Sequence, residues 1–383
     1  MIYLDCNATT PLDPEVADLV DHVSRNVPGN VSSIQHGIGK AAAKVAEQAR
    51  TQVAGALEVS PNSVVWTSGA SEGLHLGIVG LVGSSPAHKR TIVISATEHS
   101  AALNSAEFCR RLLGANIRVV PPRTDGRPDV TSISDALDET VSAVVCMHVN
   151  NETGVISPIE EISEVCRARA VPLVCDVTQS VGKLDVSSVL RASDIAVFSG
   201  HKFYGPKGVG VLVADSSVRR RMAPALAGGG HGAGLRGGTV NTPGVAGLGL
   251  ATELAVSRLV ATQEHCEALL DQLFAALEAR LGKVEVVGGD APRVANTLNL
   301  RFQGADADAV MANSPGVAVS TGSACNSADP EPSHVLLAMG FGSDAASECI
   351  RFSVGLPTTP DDVDRAAAQI GEAVDRVRRL TAA

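Results

Sequence analysis

The feature that most constrains the fold is an alternation of short apolar runs with helix-length segments through the first 215 residues. Seven runs of strand length are rich in Val, Ile and Leu, and they lie at 64–66, 91–94, 117–120, 143–146, 172–175, 195–198 and 210–213. Segments of helical length lie between them, such as 39–57, 101–113 and 159–169. Continuously apolar strands separated by helices indicate a mostly parallel sheet covered on both faces. The sequence therefore predicts an α/β fold with a seven-stranded sheet.

The second part of the chain is expected to form a smaller α/β domain. Apolar residues recur at helical spacing through roughly 245–281, which predicts a long helix that links two domains. A strand near 295–302, a polar loop at 320–333 and a helix near 361–379 follow it. We therefore expect an N-terminal segment of the small domain at 1–15, a large domain at 16–250 and a small C-terminal domain at 251–383.

Composition excludes several classes of protein. The formal net charge of −10 disfavours direct binding to nucleic-acid phosphates. The eight cysteines form no Cys-x-x-Cys pair, which argues against a zinc site and predicts that most are small buried hydrophobes in a reduced compartment. There is no run of 18 apolar residues and no signal-peptide pattern at the N-terminus, so we expect a cytoplasmic protein without a membrane span.

Lys202 is the first candidate for a chemical role. It follows the apolar run 195–198 and stands beside Ser199 and His201, ahead of a Gly-Pro-Lys-Gly turn. Partial desolvation favours the neutral, nucleophilic amine of a lysine, and such an amine condenses with an aldehyde. The serine and histidine offer donors to a phosphate, so the segment suggests a Schiff base with pyridoxal phosphate (PLP). The alternative is an exposed lysine in a Gly-rich turn.

Further polar residues follow other predicted strands. Ser71 lies at the start of a helix after the first strand, where unpaired N–H groups and a hydroxyl bind an anion. His99 follows the second strand and has a ring that could stack on a planar cofactor. Asp176 ends a strand at the edge where α/β sheets bind ligands, and Gln179 comes three residues later. Each of them taken singly is also typical of a cap or a turn.

A polar loop and an apolar strand supply two more candidates. Cys325 stands among small polar residues at 319–334, and an accessible polar setting is typical of reactive thiols. His334 either assists it or begins the next helix, which Ser333 can cap. Arg351 lies in an apolar strand, where a buried guanidinium needs an anion. That anion is either a substrate carboxylate or a structural ion-pair partner.

These motifs resemble those of the PLP-dependent cysteine desulfurases of aminotransferase class V, fold type I, along nearly the whole chain. The resemblance rests on the segments 3–11, 30–36, 67–72, 147–154, 176–179, 199–202, 236–239 and 323–325. It implies a large PLP-binding domain, a small C-terminal domain and a homodimer. The long segment around Cys325 is similar to that of the subgroup that delivers sulfur to partner proteins.

The resemblance also implies roles for individual residues. Lys202 would bind PLP and move the α-proton of the substrate, L-cysteine, and His99 would stack on the ring. Cys325 would take the sulfur as a persulfide, and Asn151 and Arg351 would orient the substrate. The implied cofactor-binding residues are Ala70, Ser71, His99, Asn151, Asp176, Gln179, Ser199, His201, Lys202 and, from the neighbouring subunit, Thr239.

The chain departs from the family pattern at a few positions, namely Val31, Gly232, Ala233 and Leu356. None of these removes a group that the reaction requires, but they bear on the partner surface. The sulfur acceptor stays open among iron–sulfur cluster assembly, tRNA thiolation and DNA phosphorothioation. The alternatives are another class V reaction, such as that of a selenocysteine lyase or an aminotransferase, and a catalytically silent scaffold for sulfur transfer.

Overall fold

A computed structural model of the chain describes residues 1–228, 234–321 and 332–381. Its strands are β1 (Ile2–Tyr3), β2 (Val64–Thr67), β3 (Thr91–Ser95), β4 (Asn116–Val120), β5 (Val141–Val145), β6 (Leu173–Asp176), β7 (Ile195–Ser199), β8 (Gly210–Ala214), β9 (Glu285–Val286), β10 (Thr297–Arg301), β11 (Val317–Ala318) and β12 (Cys349–Ser353). All seven strand predictions for the first 215 residues are confirmed, with shifts of one or two residues at some ends.

The helices alternate with these strands, as the sequence predicts. They are α1 (Pro14–Asn26), α2 (Gly37–Ala56), α3 (Ala70–Ser84), α4 (Ser100–Leu113), α5 (Val130–Asp135), α6 (Ile159–Ala168), α7 (Ser187–Ala192), α8 (Ser216–Arg219), α9 (Thr242–Ser257), α10 (Leu259–Leu281), α11 (Ala307–Ala312), α12 (His334–Ala338), α13 (Ser343–Ser347) and α14 (Pro360–Thr381). Ser333 caps α12 by accepting a hydrogen bond from the backbone N–H of Leu336, as expected.

Strands β2 to β8 form one seven-stranded sheet in the order β2-β8-β7-β6-β5-β3-β4. The neighbours are parallel except for β8, which is antiparallel to both β7 and β2. Along β3, Val93 belongs to one hydrophobic core while Ile92 and Ile94 belong to another, so helices cover both faces. The predicted mostly parallel sheet is therefore confirmed.

The C-terminal part of the chain has its own hydrophobic core. An antiparallel sheet of order β12-β10-β9 packs with α10 and α14, and residues from 266 to 377 contribute to this core. The N-terminus joins it, since β1 pairs in parallel with β11 and Leu4 is buried there. These contacts support the expected domain boundaries after residues 15 and 250, which stay a prediction.

The predicted long helix at 245–281 is instead two helices, α9 and α10, bent by 70°. The break falls at Arg258, whose guanidinium binds Asp13 and Glu15. Helix α9 packs on α1 and α2 of the large core, whereas α10 packs on α14 of the small one. A single straight helix could not pack against both hydrophobic cores. Among the described residues no single helix is long and apolar enough to cross a membrane, and α9 with α10 would qualify only as this bent pair.

The sheet places several polar residues at one edge. Strands β2, β3, β5, β6 and β7 run in the same direction, so the residues after their carboxyl ends meet there. Asp176 ends β6 and Ser199 ends β7. Helix α3 begins at this edge immediately after β2.

Candidate active site

A cavity of about 560 Å³ lies at this edge of the sheet. The small-domain core contributes to its wall through Ser320 and Arg351, and the N-terminal segment contributes through Asn7, Ala8 and Thr9. Ten of the candidate residues line it, namely Ala70, Ser71, His99, Asn151, Asp176, Gln179, Ser199, His201, Lys202 and Arg351. The tertiary structure thus brings together residues that are as many as 281 positions apart in the sequence (70 to 351).

Lys202 stands at the end of a single turn of 3-10 helix, Gly200–Lys202, directly after β7. Its side chain is half-buried, and Nζ donates hydrogen bonds to the carbonyl oxygens of Asn7 (2.7 Å) and Ala8 (2.8 Å). The amine nitrogen is therefore held against the N-terminal segment at the cavity wall. The alternative of a lysine that only faces solvent is wrong.

The start of α3 lies at the wall of the same cavity as Lys202. Within the described part of the chain, no side chain caps this 15-residue helix at Gly69, so its first N–H groups remain available at the cavity. Ser71, Ser199 and His201 line the same region. A Cβ atom at Gly69 would lie 3.2 Å from the Ser199 hydroxyl oxygen, so the glycine keeps this corner open. The capping alternative holds only in part, because Glu72 accepts a hydrogen bond from the Ser68 N–H at 2.7 Å.

His201 adds a neutral ring to this region of the cavity. Its Nδ1 lies 3.1 Å from the Thr9 hydroxyl oxygen. Burial lowers the pKa of His201 to about 4, and the nearby cations Lys202 and Lys207 act in the same direction. A phosphate group would oppose this shift, since a nearby negative charge favours the imidazolium.

Asp176 and His99 both line the cavity, and the charge of Asp176 acts on the His99 ring. Asp176 is buried, and its Oδ1 accepts a hydrogen bond from the Thr178 N–H at 2.9 Å. His99 is the N-cap of α4, and its Nδ1 accepts from the Ala101 N–H at 3.1 Å. Burial lowers the pKa of His99, although Asp176 opposes the shift. The neutral ring therefore carries its proton on Nε2.

Glu98, immediately before His99, is fully buried behind the cavity. Its Oε1 accepts a hydrogen bond from the Met147 N–H at 2.6 Å, while Oε2 has no hydrogen-bond partner among the residues that the structure describes. Burial raises the pKa of Glu98 to about 8; the Met147 hydrogen bond opposes the shift, and the charge of Asp176 reinforces it. Glu98 is therefore kept largely neutral near pH 7.

Replacement of Glu98 by Gln is expected to stabilise the protein at alkaline pH. The folded-state pKa of Glu98 lies above its ordinary value, so wild type loses stability as the pH rises from about 4.5 to about 8. The glutamine side chain keeps an acceptor for the Met147 N–H and carries no charge. We expect the free energy of unfolding to rise by about 1–3 kcal/mol at about pH 8.5, and the gain to vanish near about pH 5.

Thermal denaturation of the protein without added cofactor measures this effect across the pH range. The matched control is Glu161→Gln, at an exposed position of α6, which should change little at any pH. A gain for Glu98→Gln that is the same at both ends of the range would contradict the assignment of a neutral Glu98.

Arg351 is buried in β12 and has a structural partner. Its Nη2 binds Asp5 Oδ1 at 2.5 Å, and its Nη1 donates to the Asn151 carbonyl oxygen at 3.0 Å. Nε is buried, and no residue in the described ranges of the chain forms a hydrogen bond with it. The ion-pair alternative is therefore seen in the structure, yet Arg351 also lines the cavity, where a guanidinium binds a carboxylate with two parallel hydrogen bonds.

Replacement of Arg351 by Lys separates the two roles. The ammonium keeps the charge beside Asp5 but loses the planar fork. If Arg351 binds the substrate carboxylate, KM for an amino-acid substrate should rise about 10-fold or more while kcat changes little. Steady-state kinetics beside Asp5→Asn make the comparison, because that variant breaks the ion pair and retains the arginine. An unchanged KM with equal losses in melting temperature for both variants would leave only the structural role.

Sequence reasoning assigned no role to two polar residues at the site, Asn7 and Lys183. Asn7 is buried at the cavity wall, where its backbone oxygen accepts from Lys202 Nζ and from Gln179 Nε2 (3.0 Å). Lys183 is buried, and its Nζ donates to Asn7 Oδ1 at 2.8 Å and to Gln179 Oε1. One feature of the sequence could have indicated this contact: Lys183 follows Gln179 by four residues, in a segment rich in turns.

Two further candidates remain, of which the structure describes only Thr239. Thr239 is exposed and lines no part of the cavity, although Arg236, in the same segment, binds Glu72 Oε1 at 2.9 Å near the start of α3. Cys325 lies outside the described residues, as do Gly232 and Ala233. The seven other cysteines are buried with free thiols, as expected for most of them.

Comparisons with known proteins agree with this architecture. The chain matches the aminotransferase class-V family model over residues 2–366. It is 40% identical to a cysteine desulfurase of Frankia sp. (strain EuIK1), over 100% of this chain and 93% of that protein. It is 39% identical to the cysteine desulfurase IscS of Anaeromyxobacter dehalogenans (strain 2CP-C), over 99% and 94%.

A solved structure of a NifS-like protein is similar with a TM-score of 0.90 and 31% identity, over 98% of this chain and 99% of that one. The predicted fold type I architecture is thereby confirmed. The chain therefore belongs to the aminotransferase class-V family, and within it to the cysteine desulfurases.

Proposed function

We propose that the chain converts L-cysteine to L-alanine with PLP bound at Lys202, and that Cys325 receives the sulfur as a persulfide. The observation that carries the proposal is one cavity that holds the amine of Lys202, the carboxylate of Asp176 and the uncapped start of α3. The family supports the same reaction, since its relatives are cysteine desulfurases.

The residues at the cavity fit PLP group by group. The Lys202 amine suits the aldehyde, and the start of α3 with Ser71, Ser199 and His201 suits the phosphate. Asp176 suits a protonated pyridine nitrogen, and the ring of His99 offers a face for stacking. When bound, PLP supplies an electron sink for the bonds at the α-carbon of the substrate.

The chain's own residues bind the substrate and move its proton. Arg351 would bind the carboxylate of L-cysteine, and Asn151, which lines the same wall, would orient it. Once released from its covalent role, the Lys202 amine would take the α-proton as a general base. Burial of Asp176 limits the contact of its carboxylate with water, which strengthens its interaction with a nearby positive charge.

Sulfur transfer would use the thiolate of Cys325. The thiolate attacks the substrate sulfur, the carbon–sulfur bond breaks, and its electron pair returns to the carbon that becomes the methyl group of alanine. Ser320, five residues before Cys325 in the sequence, lines the cavity. The described cysteines are poor alternatives, since burial raises the thiol pKa of Cys166, for example, to about 12.

The remaining expectations concern assembly and delivery. We propose a homodimer in which Thr239 reaches the phosphate bound in the partner subunit, because Thr239 does not line the cavity of its own subunit. We also propose a cytoplasmic protein that passes sulfur to an acceptor protein in iron–sulfur cluster assembly, tRNA thiolation or DNA phosphorothioation. Val31 and Leu356 are exposed or partly exposed, which is compatible with an effect on a partner surface.

The proposal is tested with PLP-loaded protein, L-cysteine and a thiol reductant. We expect alanine and sulfide in equal amounts, and without reductant we expect one persulfide on the peptide that contains Cys325, found by mass spectrometry. A keto acid in place of alanine would indicate an aminotransferase. Turnover of selenocysteine but not of cysteine would indicate a selenocysteine lyase. PLP binding with no turnover of either would indicate a scaffold.

A further inference from the structure

Lys183 is a buried lysine behind the cavity, and its amine donates hydrogen bonds to two side-chain oxygen atoms. The residue is 8% exposed, and Nζ donates to Asn7 Oδ1 at 2.8 Å and to Gln179 Oε1. A lysine amine has at least two N–H bonds in either protonation state. Both oxygens therefore keep a donor whether Lys183 is charged or neutral.

Asn7 fixes the position of this amine. Its side-chain Nδ2 donates to Thr297 Oγ1 at 2.8 Å and to the Asn151 carbonyl oxygen at 3.1 Å. Asn296 Nδ2 donates to Asn7 Oδ1 at 3.2 Å, alongside Lys183. Because acceptors face Nδ2 and donors face Oδ1, the Asn7 carboxamide has one favourable orientation. The Lys183 amine therefore donates to a carboxamide oxygen whose position is fixed.

Lys183 in turn fixes the orientation of Gln179. With Oε1 on the Lys183 amine, Gln179 Nε2 points to the other side and donates to the Asn7 carbonyl oxygen at 3.0 Å. The same carbonyl oxygen accepts from Lys202 Nζ at 2.7 Å. A flipped carboxamide would lose the bond to Asn7, face the Asn7 carbonyl oxygen with its own oxygen, and remove the acceptor of the Lys183 amine.

We propose that Lys183 is a positioning residue that holds the amino group of the Gln179 carboxamide, rather than its oxygen, beside Lys202. The inference rests on the proposed function, because the group that would accept a hydrogen bond from Gln179 belongs to PLP. In PLP the phenolic oxygen is attached next to the carbon that bears the aldehyde, so a donor beside Lys202 is a donor beside that oxygen. A carbonyl oxygen in its place would repel the phenolate.

The surroundings of Lys183 are consistent with a positioning role. Burial lowers the pKa of Lys183 to about 7, and the charges of Lys202 and Arg351 act in the same direction. The thiols of Cys6 and Cys266 oppose the shift. The amine is therefore poorly suited to hold a fixed positive charge at neutral pH, whereas its hydrogen bonds persist in both states.

The test uses the visible absorbance of PLP-loaded protein as a function of pH, with Lys183→Met. We expect the midpoint of this titration to rise by about 0.5–1 pH unit, because Gln179 no longer presents a fixed donor to the phenolic oxygen. Release of PLP should be several-fold faster than in wild type. Lys183→Arg, which keeps donors to both oxygens, should restore the midpoint, and the exposed control Lys283→Met should leave it unchanged.

A double-mutant comparison decides between positioning and other roles. Gln179→Met should raise the midpoint like Lys183→Met, and the pair Gln179→Met/Lys183→Met should match Gln179→Met alone. In the pair each Asn7 oxygen keeps one donor, Asn296 Nδ2 on Oδ1 and Lys202 Nζ on the backbone oxygen, and no Gln179 oxygen is left facing an apolar side chain. This comparison therefore decides even where Lys183→Met alone does not fold. A further shift in the pair would mean that Lys183 acts through its charge, and would overturn the proposal.

Two other outcomes are also decisive. A lower melting temperature for Lys183→Met with an unchanged midpoint would show a purely structural role and overturn the inference alone. Absence of the visible band from wild type incubated with PLP would overturn the proposed function, and this inference with it.

Discussion

Replacement of Lys202 by Ala is expected to reduce alanine formation from L-cysteine by at least about 10³-fold. The Lys202 amine has two roles in the proposed reaction, as the covalent attachment for PLP and as the base for the α-proton. The contacts of Nζ with Asn7 and Ala8 place it at the cavity wall, and an alanine at position 202 would make neither contact. Loss of both roles at once explains why this effect should be among the largest in the chain.

Alanine release and the visible absorbance of the PLP-loaded protein measure this effect together. Lys202→Arg is the matched variant, since it keeps a positive charge but has a guanidinium that stays protonated and does not form the linkage. We expect both variants to lose the visible band and the activity. Turnover of Lys202→Ala near the wild-type rate would contradict the assignment of Lys202.

Replacement of Cys325 by Ala is expected to abolish persulfide formation and to reduce alanine release by at least about 10²-fold. The variant keeps every described residue of the cavity, so it should still bind PLP and L-cysteine. Its spectrum should change on addition of L-cysteine, because binding precedes sulfur transfer. The thiolate alone would be missing from the reaction.

The measurements are alanine release and peptide mass spectrometry after reaction with labelled L-cysteine. The matched control is Cys166→Ala, since Cys166 is buried in the core and burial raises its thiol pKa to about 12. That variant should melt at a lower temperature but form the Cys325 persulfide. Equal alanine release by wild type and Cys325→Ala would make Cys325 a bystander and favour a different lyase or transaminase reaction.

Much of the large domain followed from local patterns. Apolar strands alternating with helices predicted the seven-stranded sheet, and strands of common direction bring their carboxyl ends to one edge. Asp176 and Ser199 end neighbouring strands, so their position in the sequence already placed them near each other. Ser71 and His99 open helices directly after β2 and β3, and the same argument applied to them.

Arg351 shows the limit of such local reasoning. The apolar strand around it predicted burial and an anionic partner, and both are found. The sequence left open which anion it was, because Asp5 is 346 residues away in the chain. Only the pairing of the N-terminal segment with the small-domain core brings that carboxylate to the guanidinium.

The sequence by itself determined the alternation of strands and helices through the first 215 residues, the family, and the polar residues that follow the strands. Tertiary structure alone decided the 70° bend at Arg258 and the contacts of Asn7 with Lys183, Gln179 and Lys202. Periodicity continues through a bend whenever both helices are buried, so the pattern of apolar residues does not reveal it. Hydrogen bonds between distant segments depend on how the two hydrophobic cores pack together, and no local pattern records that packing.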